Sequence, residues 1–164
     1  MSGTDARSRA HALYEARRTR KPIPPFTDDN PSLGMADGYA IQQELVAMLL
    51  AGGDRIVGYK VGLTSAPMQR MFGIDAPDYG PVLASTMYAN ADTISLDRFI
   101  APKVEAEIVF RLGSRLAGPD VSRDHARAAI SDVHPRVLRR RAYCVAAAEA
   151  HPDQTDAARI DLRV

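Results

Sequence analysis

The 164-residue chain is 46% hydrophobic and 25% charged, the proportions of an ordinary globular protein long enough to bury a core. Its 21 Lys and Arg balance 20 Asp and Glu, so no global field directs it to nucleic acid or to a membrane surface. A lone cysteine, Cys144, excludes an intrachain disulfide, and the opening MSGTDARSRAHALYEARRTR lacks the apolar centre of a signal peptide.

Residues 5–20, rich in Ala, Leu, Glu and Arg, predict a first helix stopped by Pro22, Pro24 and Pro25. TDDNPSLG then reads as a turn-rich connection. A second helix is expected from Met35, with Ile41, Leu45, Met48 and Leu49 on one face and Gly52–Gly53 as its stop. No apolar run exceeds the length of that from Leu45 to Ala51, far too short for a membrane span, so a cytoplasmic location is expected. RIVGYKVGL predicts a strand, SAPMQRMFG a short helix capped by Ser65, and IDAPDYGPV a loop by its Pro, Gly and Asp content. Short strands or turns are expected over 85–100, and KVEAEIVFRL is the clearest strand signal in the chain. Ser122 can cap a third helix with Ala126, Ala129, Ile130 and Val133 on one face. After Val133 the composition turns to Arg and Ala, with no strand pattern and a modest helical stripe.

Three constellations could carry chemistry. In KVEAEIVF, alternate side chains share a face of a strand, so Glu105 and Glu107 stand roughly 6.5–7 Å apart on the same side. An enclosed pair of this kind calls for a cation, and hard oxygen donors suit Mg2+ or Mn2+; spacing alone favours a solvated polar face. In GYKVGLTS, Lys60 is flanked on its face by Gly58 and Gly62, which leaves a hollow around the ammonium group for a small anion or for proton transfer. A surface lysine on an edge strand is the plainer alternative. Asp78 sits in the loop PDYG, where it caps a turn or works as an acid or base. His11, His125, His134 and His151 show no metal-ligand spacing and read as structural or solvent-exposed.

The order and wording of the motifs go further than any of them alone. R-T-R-x-P-I at Arg18, D-G-Y-A-I-Q at Asp37, G-Y-K-V-G-L-T-S at Gly58, I-D-x-P-D-Y-G at Ile74 and P-K-V-E-A-E-I at Pro102 together resemble the 2-keto-4-pentenoate hydratase group of the fumarylacetoacetate hydrolase superfamily. The resemblance implies a mixed α/β fold, helical at its N-terminus with a β-rich core, and a homo-oligomer. It implies a divalent-metal hydro-lyase of aromatic meta-cleavage catabolism that adds water to a small-molecule 2-hydroxy-2,4-dienoate to give a 4-hydroxy-2-oxo acid. By motif, Glu105 and Glu107 match two metal-binding carboxylates, Lys60 matches a substrate-contacting lysine active in proton transfer, and Asp78 falls in a loop that reaches the active site. No nucleic-acid or membrane partner is implied.

The resemblance stops at Pro135. Family members are longer and carry a further metal-binding glutamate after the third helix; here HPRVLRRR follows, with no acidic residue until Glu149. Residues 1–133 therefore read as the N-terminal part of a hydratase-like domain and 134–164 as an atypical tail, as a frameshift in a GC-rich gene would leave. Two alternatives stand beside the hydratase: an inactive fragment or interaction partner of a full-length relative, and a 4-oxalocrotonate decarboxylase, which shares the G-L-T-S and E-A-E-I motifs.

Overall fold

A computed structural model describes residues 1–89, 92–141 and 159–161. The mixed α/β composition expected from the sequence is observed, and the chain divides into two compact units, Met1–Ala89 and the described residues from 92 onward.

The first unit begins with α1 (Gly3–Thr19). The Ser2 hydroxyl accepts a bond from the Asp5 N–H at 3.2 Å, filling one of the orphan donors of the first turn. The helix ends where Arg20 adopts a left-handed conformation (φ 59°) and its N–H bonds the Ala16 carbonyl. A single helical turn, α2 (Phe26–Asp29), interrupts the connection that reads as irregular in the sequence. Its Phe26 ring lies under the Arg9 guanidinium at 5.0 Å. Next comes α3 (Met35–Ala51), where Asp37 accepts from the Gly34 N–H at 3.0 Å, and Gly53 (φ 92°) follows its end as the glycine pair predicts.

Ala6 and Ala10 of α1 pack on Ile41 and Leu45 of α3, with Leu13, Tyr14, Phe26, Met48 and Leu49 around them. Ala10 is completely buried. The small alanine face lets the helix axes approach closely, and α3 buries the face that its spacing marks as apolar.

Strand β1 (Ile56–Gly62) pairs antiparallel with β2 (Asp78–Leu83), and α4 (Ala66–Phe72) lies between them in the chain. The expected loop at Asp78 is thus corrected to a strand. Pairing with β1 overrides the local turn signal, and Pro81 is tolerated because it faces the outer edge of β2. Tyr79, two residues earlier, turns its N–H away from β1 to the Tyr39 hydroxyl, so a proline two positions on costs no ladder bond.

In the second unit β4 (Pro102–Leu112) pairs with β5 (Ile130–Arg141) in a long antiparallel ribbon. A shorter pair joins β3 (Thr93–Ser95) to β6 (Arg159–Asp161). The expected third helix is real but short: α5 (Arg123–Ala128) is capped by Ser122, whose hydroxyl accepts from the His125 N–H at 3.1 Å. Ile130 and Val133 belong to β5 and not to the helix, as suits β-branched residues that can pair with β4. The expected boundary after Val133 falls inside this strand, and the stretch that shows no strand pattern supplies it as far as Arg141. Cys144, Glu149 and His151 lie outside the described residues. Among the described residues, no helix is long and apolar enough to cross a membrane.

Candidate functional site

In the first unit, the register of β1 and β2 sets Gly62 opposite Asp78, Lys60 opposite Gly80 and Gly58 opposite Val82. Paired residues share a face, so Lys60 and Asp78 stand on the same side as diagonal neighbours, roughly 7–8 Å apart at the backbone and within reach of long side chains. Both are half-buried. On the opposite face Tyr59, Val61 and Tyr79 are exposed.

The two glycines that flank Lys60 on its strand differ in what surrounds them. A Cβ built on Gly62 would fall on the Asp78 carboxylate, whereas one built on Gly58 would meet nothing within 4 Å. Glycine at 62 thus lets the carboxylate lie over the strand, whereas the position at Gly58 is open. A Cβ on Gly80 would stand 3.3 Å from the Gln42 amide nitrogen. The floor under Lys60 is therefore made of three glycines, with a carboxylate and an amide at its margins. The sequence shows two of those glycines; Gly80 and Gln42 are missed because only strand pairing and the approach of α3 bring them in.

Immediately after Gly62 the backbone of Leu63 takes a positive φ of 51°, an uncommon conformation for a side chain of this size. The Gln69 amide donates to the Leu63 carbonyl at 2.8 Å and holds that turn. Further from the floor, Asp54 ties the end of α3 to the end of β2, accepting from the Ser85 N–H at 3.1 Å, the Ser85 hydroxyl at 2.5 Å and the Arg55 N–H at 2.9 Å. The Ser85 hydroxyl bond is the main reason its pKa is lowered, with the two N–H groups and the Arg17 charge adding to it. Asp37 is also lowered, first by the Gly34 N–H and then by the N-terminal amine at 3.3 Å.

In the second unit, Glu105 and Glu107 share one face of β4 with Val109, as the alternation predicts, and are half-buried. The apolar face is the more open one: Ile108 is 65% and Phe110 54% exposed. The two carboxylates are thus less exposed than these apolar side chains, while Lys103 and Arg111 on the carboxylate face are exposed. His134 pairs with Val109 on the carboxylate face, and its Nε2 is buried with no hydrogen-bond partner among the described residues. Of the two readings the sequence leaves open for this histidine, structural or solvent-exposed, the buried nitrogen fits the structural one. Among the described residues, no three His, Cys, Asp or Glu side chains converge where they could hold a metal. Two carboxylates are nevertheless an adequate protein share for a small hard cation that keeps several waters.

No family model matches the chain. Individual relatives do. It is 37% identical over 125 residues to a 2-hydroxyhexa-2,4-dienoate hydratase of Comamonas testosteroni, covering 75% of this chain and 47% of the relative. It is 42% identical over 107 residues to a 2-keto-4-pentenoate hydratase of Paraburkholderia xenovorans, covering 65% and 40%. A 2-oxo-hept-4-ene-1,7-dioate hydratase of Escherichia coli is 38% identical over 111 residues, covering 68% and 42%. The chain thus spans less than half the length of these relatives. Among solved structures it is similar to a 4-oxalocrotonate decarboxylase of Pseudomonas putida complexed with magnesium and adipate, with a TM-score of 0.80, 29% identity, and coverage of 85% of this chain and 53% of that one.

Proposed function

The chain belongs by sequence to the 2-keto-4-pentenoate hydratase group, and from that premise we propose that it takes part in the metal-dependent addition of water to a 2-hydroxy-2,4-dienoate, giving a 4-hydroxy-2-oxo acid. The observation that carries this reading is the placement of Lys60 and Asp78 as diagonal neighbours on one half-buried, glycine-floored face of paired strands.

The reaction needs the proton of the 2-hydroxyl to leave, a carbon of the chain to gain one, and water to add across the conjugated system. Those are acid–base tasks. Lys60 binds the negative substrate as a point charge and can donate or relay a proton, and Asp78 beside it is the partner base. The bare floor at Gly58 lets a flat dienoate approach the strand backbone closely. Glu105 and Glu107 would hold the divalent cation, with magnesium or manganese the natural choice for two carboxylates and water. When bound, the cation supplies positive charge that stabilises electron density building on the substrate oxygens.

The test is loss of dienoate absorbance by purified protein, with and without magnesium or manganese. Turnover that needs the metal and disappears in Glu105→Ala and Glu107→Ala is the expected result. Metal-independent turnover, or none, overturns the reading. A second reading, decarboxylation of a related 2-oxo diacid, is favoured by the similarity to the decarboxylase structure. Release of carbon dioxide from a 4-oxalocrotonate-type substrate, measured in the same preparation, separates the two.

A further inference from the structure

We infer that Tyr39 and Gln42 of α3 form a clamp that fixes the Asp78 carboxylate beside Lys60, acting as positioning residues for the reaction. The inference rests on the reading of Lys60 and Asp78 as the proton-handling pair.

The outer edge of β2 has no third strand among the described residues, and an open edge leaves backbone groups unpaired. At Tyr79 the helix takes that strand's place. The Tyr39 hydroxyl accepts from the Tyr79 N–H at 3.2 Å, and the Gln42 amide donates to the Tyr79 carbonyl at 3.4 Å. Residues three apart stand on one helix face, so a single turn of α3 holds both backbone groups of one residue. The Tyr39 ring also stacks on the Tyr79 ring, with centroids 5.0 Å apart.

Tyr79 directly follows Asp78. The aspartate is therefore fixed on one side by its pairing with Gly62 and on the other by the clamp at the next residue. Gly80 completes the arrangement, because a side chain there would press on the Gln42 amide at 3.3 Å. The helix is itself anchored, since Ile41 beside Gln42 and Leu45 one turn on are buried in the core. Misplacing a reacting group by about 1 Å can cost roughly a hundredfold in rate, so a rigid hold on this strand has catalytic weight.

The experiment is NMR on the isotope-labelled full chain, comparing Tyr39→Phe and Gln42→Leu with Gln43→Ala, an exposed neighbour, as control. Both clamp variants are expected to move the Asp78 carboxyl carbon resonance, identified by its loss in Asp78→Asn. Tyr39→Phe should speed exchange of the Tyr79 amide about fivefold or more, the effect of losing one hydrogen bond. Gly80→Ala should reproduce Gln42→Leu. Methyl signals of Ala10 and Leu45 should stay in place. An unmoved Asp78 resonance and an unchanged Tyr79 exchange rate overturn the inference. So does a change that spreads equally to Ala10 and Leu45, which would mean general loosening. In turnover, the clamp variants should lower kcat with KM for the dienoate unchanged, and unaltered kcat overturns the positioning role. No turnover by the unaltered protein would sink the hydratase reading alone, because the NMR comparison decides the clamp without it.

Discussion

The helical unit and the β4–β5 ribbon treat apolar surface in opposite ways. In the first, Ala6, Ala10, Ile41 and Leu45 are sealed between α1 and α3, and the charged pair Lys60 and Asp78 lies half-buried over glycines. In the second, the carboxylates Glu105 and Glu107 are half-buried while Ile108, Phe110 and Leu112 are at least half exposed. A packed core makes the first unit a rigid support for chemistry. The ribbon has its donors aligned but little buried apolar surface behind them, since the buried hydrophobic residues of the second unit, among those described, are Ile94 of β3 and Ala129 at the end of α5. Precise function near β1–β2 should therefore depend on packing, and function at β4 on charge.

The largest effect expected is on turnover. Lys60→Met keeps the length of the side chain and removes its charge and proton, so activity should fall by about a hundredfold to ten-thousandfold, the range for a lost acid–base group. Far-ultraviolet circular dichroism should be unchanged. A variant that retains wild-type kcat would detach the glycine-floored face from the chemistry.

Stability should separate the units next. Leu45→Ala removes a buried side chain from the α1–α3 core and should cost about 2–5 kcal/mol in urea unfolding. Gly62→Ala places a methyl group on the Asp78 carboxylate and should cost about 1–3 kcal/mol while moving Asp78 away from Lys60. If it is neutral, the close approach of Asp78 to the strand is not required by the fold.

A smaller, pH-dependent effect belongs to Asp54. Its folded pKa is depressed, chiefly by the Ser85 hydroxyl, so its contribution is present above the unfolded carboxylate pKa and lost as pH falls through the folded value. Asp54→Asn should cost about 1 kcal/mol at pH 7, given the solvent around the group. The difference from the unaltered protein should narrow below about pH 4, the ordinary carboxylate range. Thermal unfolding across pH 3–8 reads this directly, and a gap that stays constant with pH would remove the ion from the explanation.

Local pattern was enough for α1, α3, β1 and β4, because each is long and periodic with plain stops such as Gly52–Gly53. It failed where pairing decides. Asp78-Tyr79-Gly80-Pro81 has the composition of a turn and becomes a strand because β1 and α3 occupy its two edges. Ile130 and Val133 fit a helical stripe and instead extend β5 opposite β4. For the candidate site, Lys60, Glu105 and Glu107 are legible from alternation, and their roles come from the resemblance. Gln42 and Gly80 are not legible, since nothing local links a helix residue to a glycine thirty-eight positions later.

The ribbon offers the smallest expected stability change and the sharpest contrast with Leu45. Phe110 is 54% exposed and stands with Ile108 and Leu112 on the open side of β4. A side chain still this exposed has little burial to lose, so Phe110→Thr should change unfolding free energy by no more than about 0.5 kcal/mol, as at other surface positions. Threonine is β-branched and favours a strand as the aromatic ring does, which leaves the pairing with Val133 intact. The substitution also breaks a row of exposed apolar side chains, so light scattering at high protein concentration should fall. A loss near that of Leu45→Ala would mean that this face is packed in solution, and the contrast between a sealed core and an open ribbon would no longer hold.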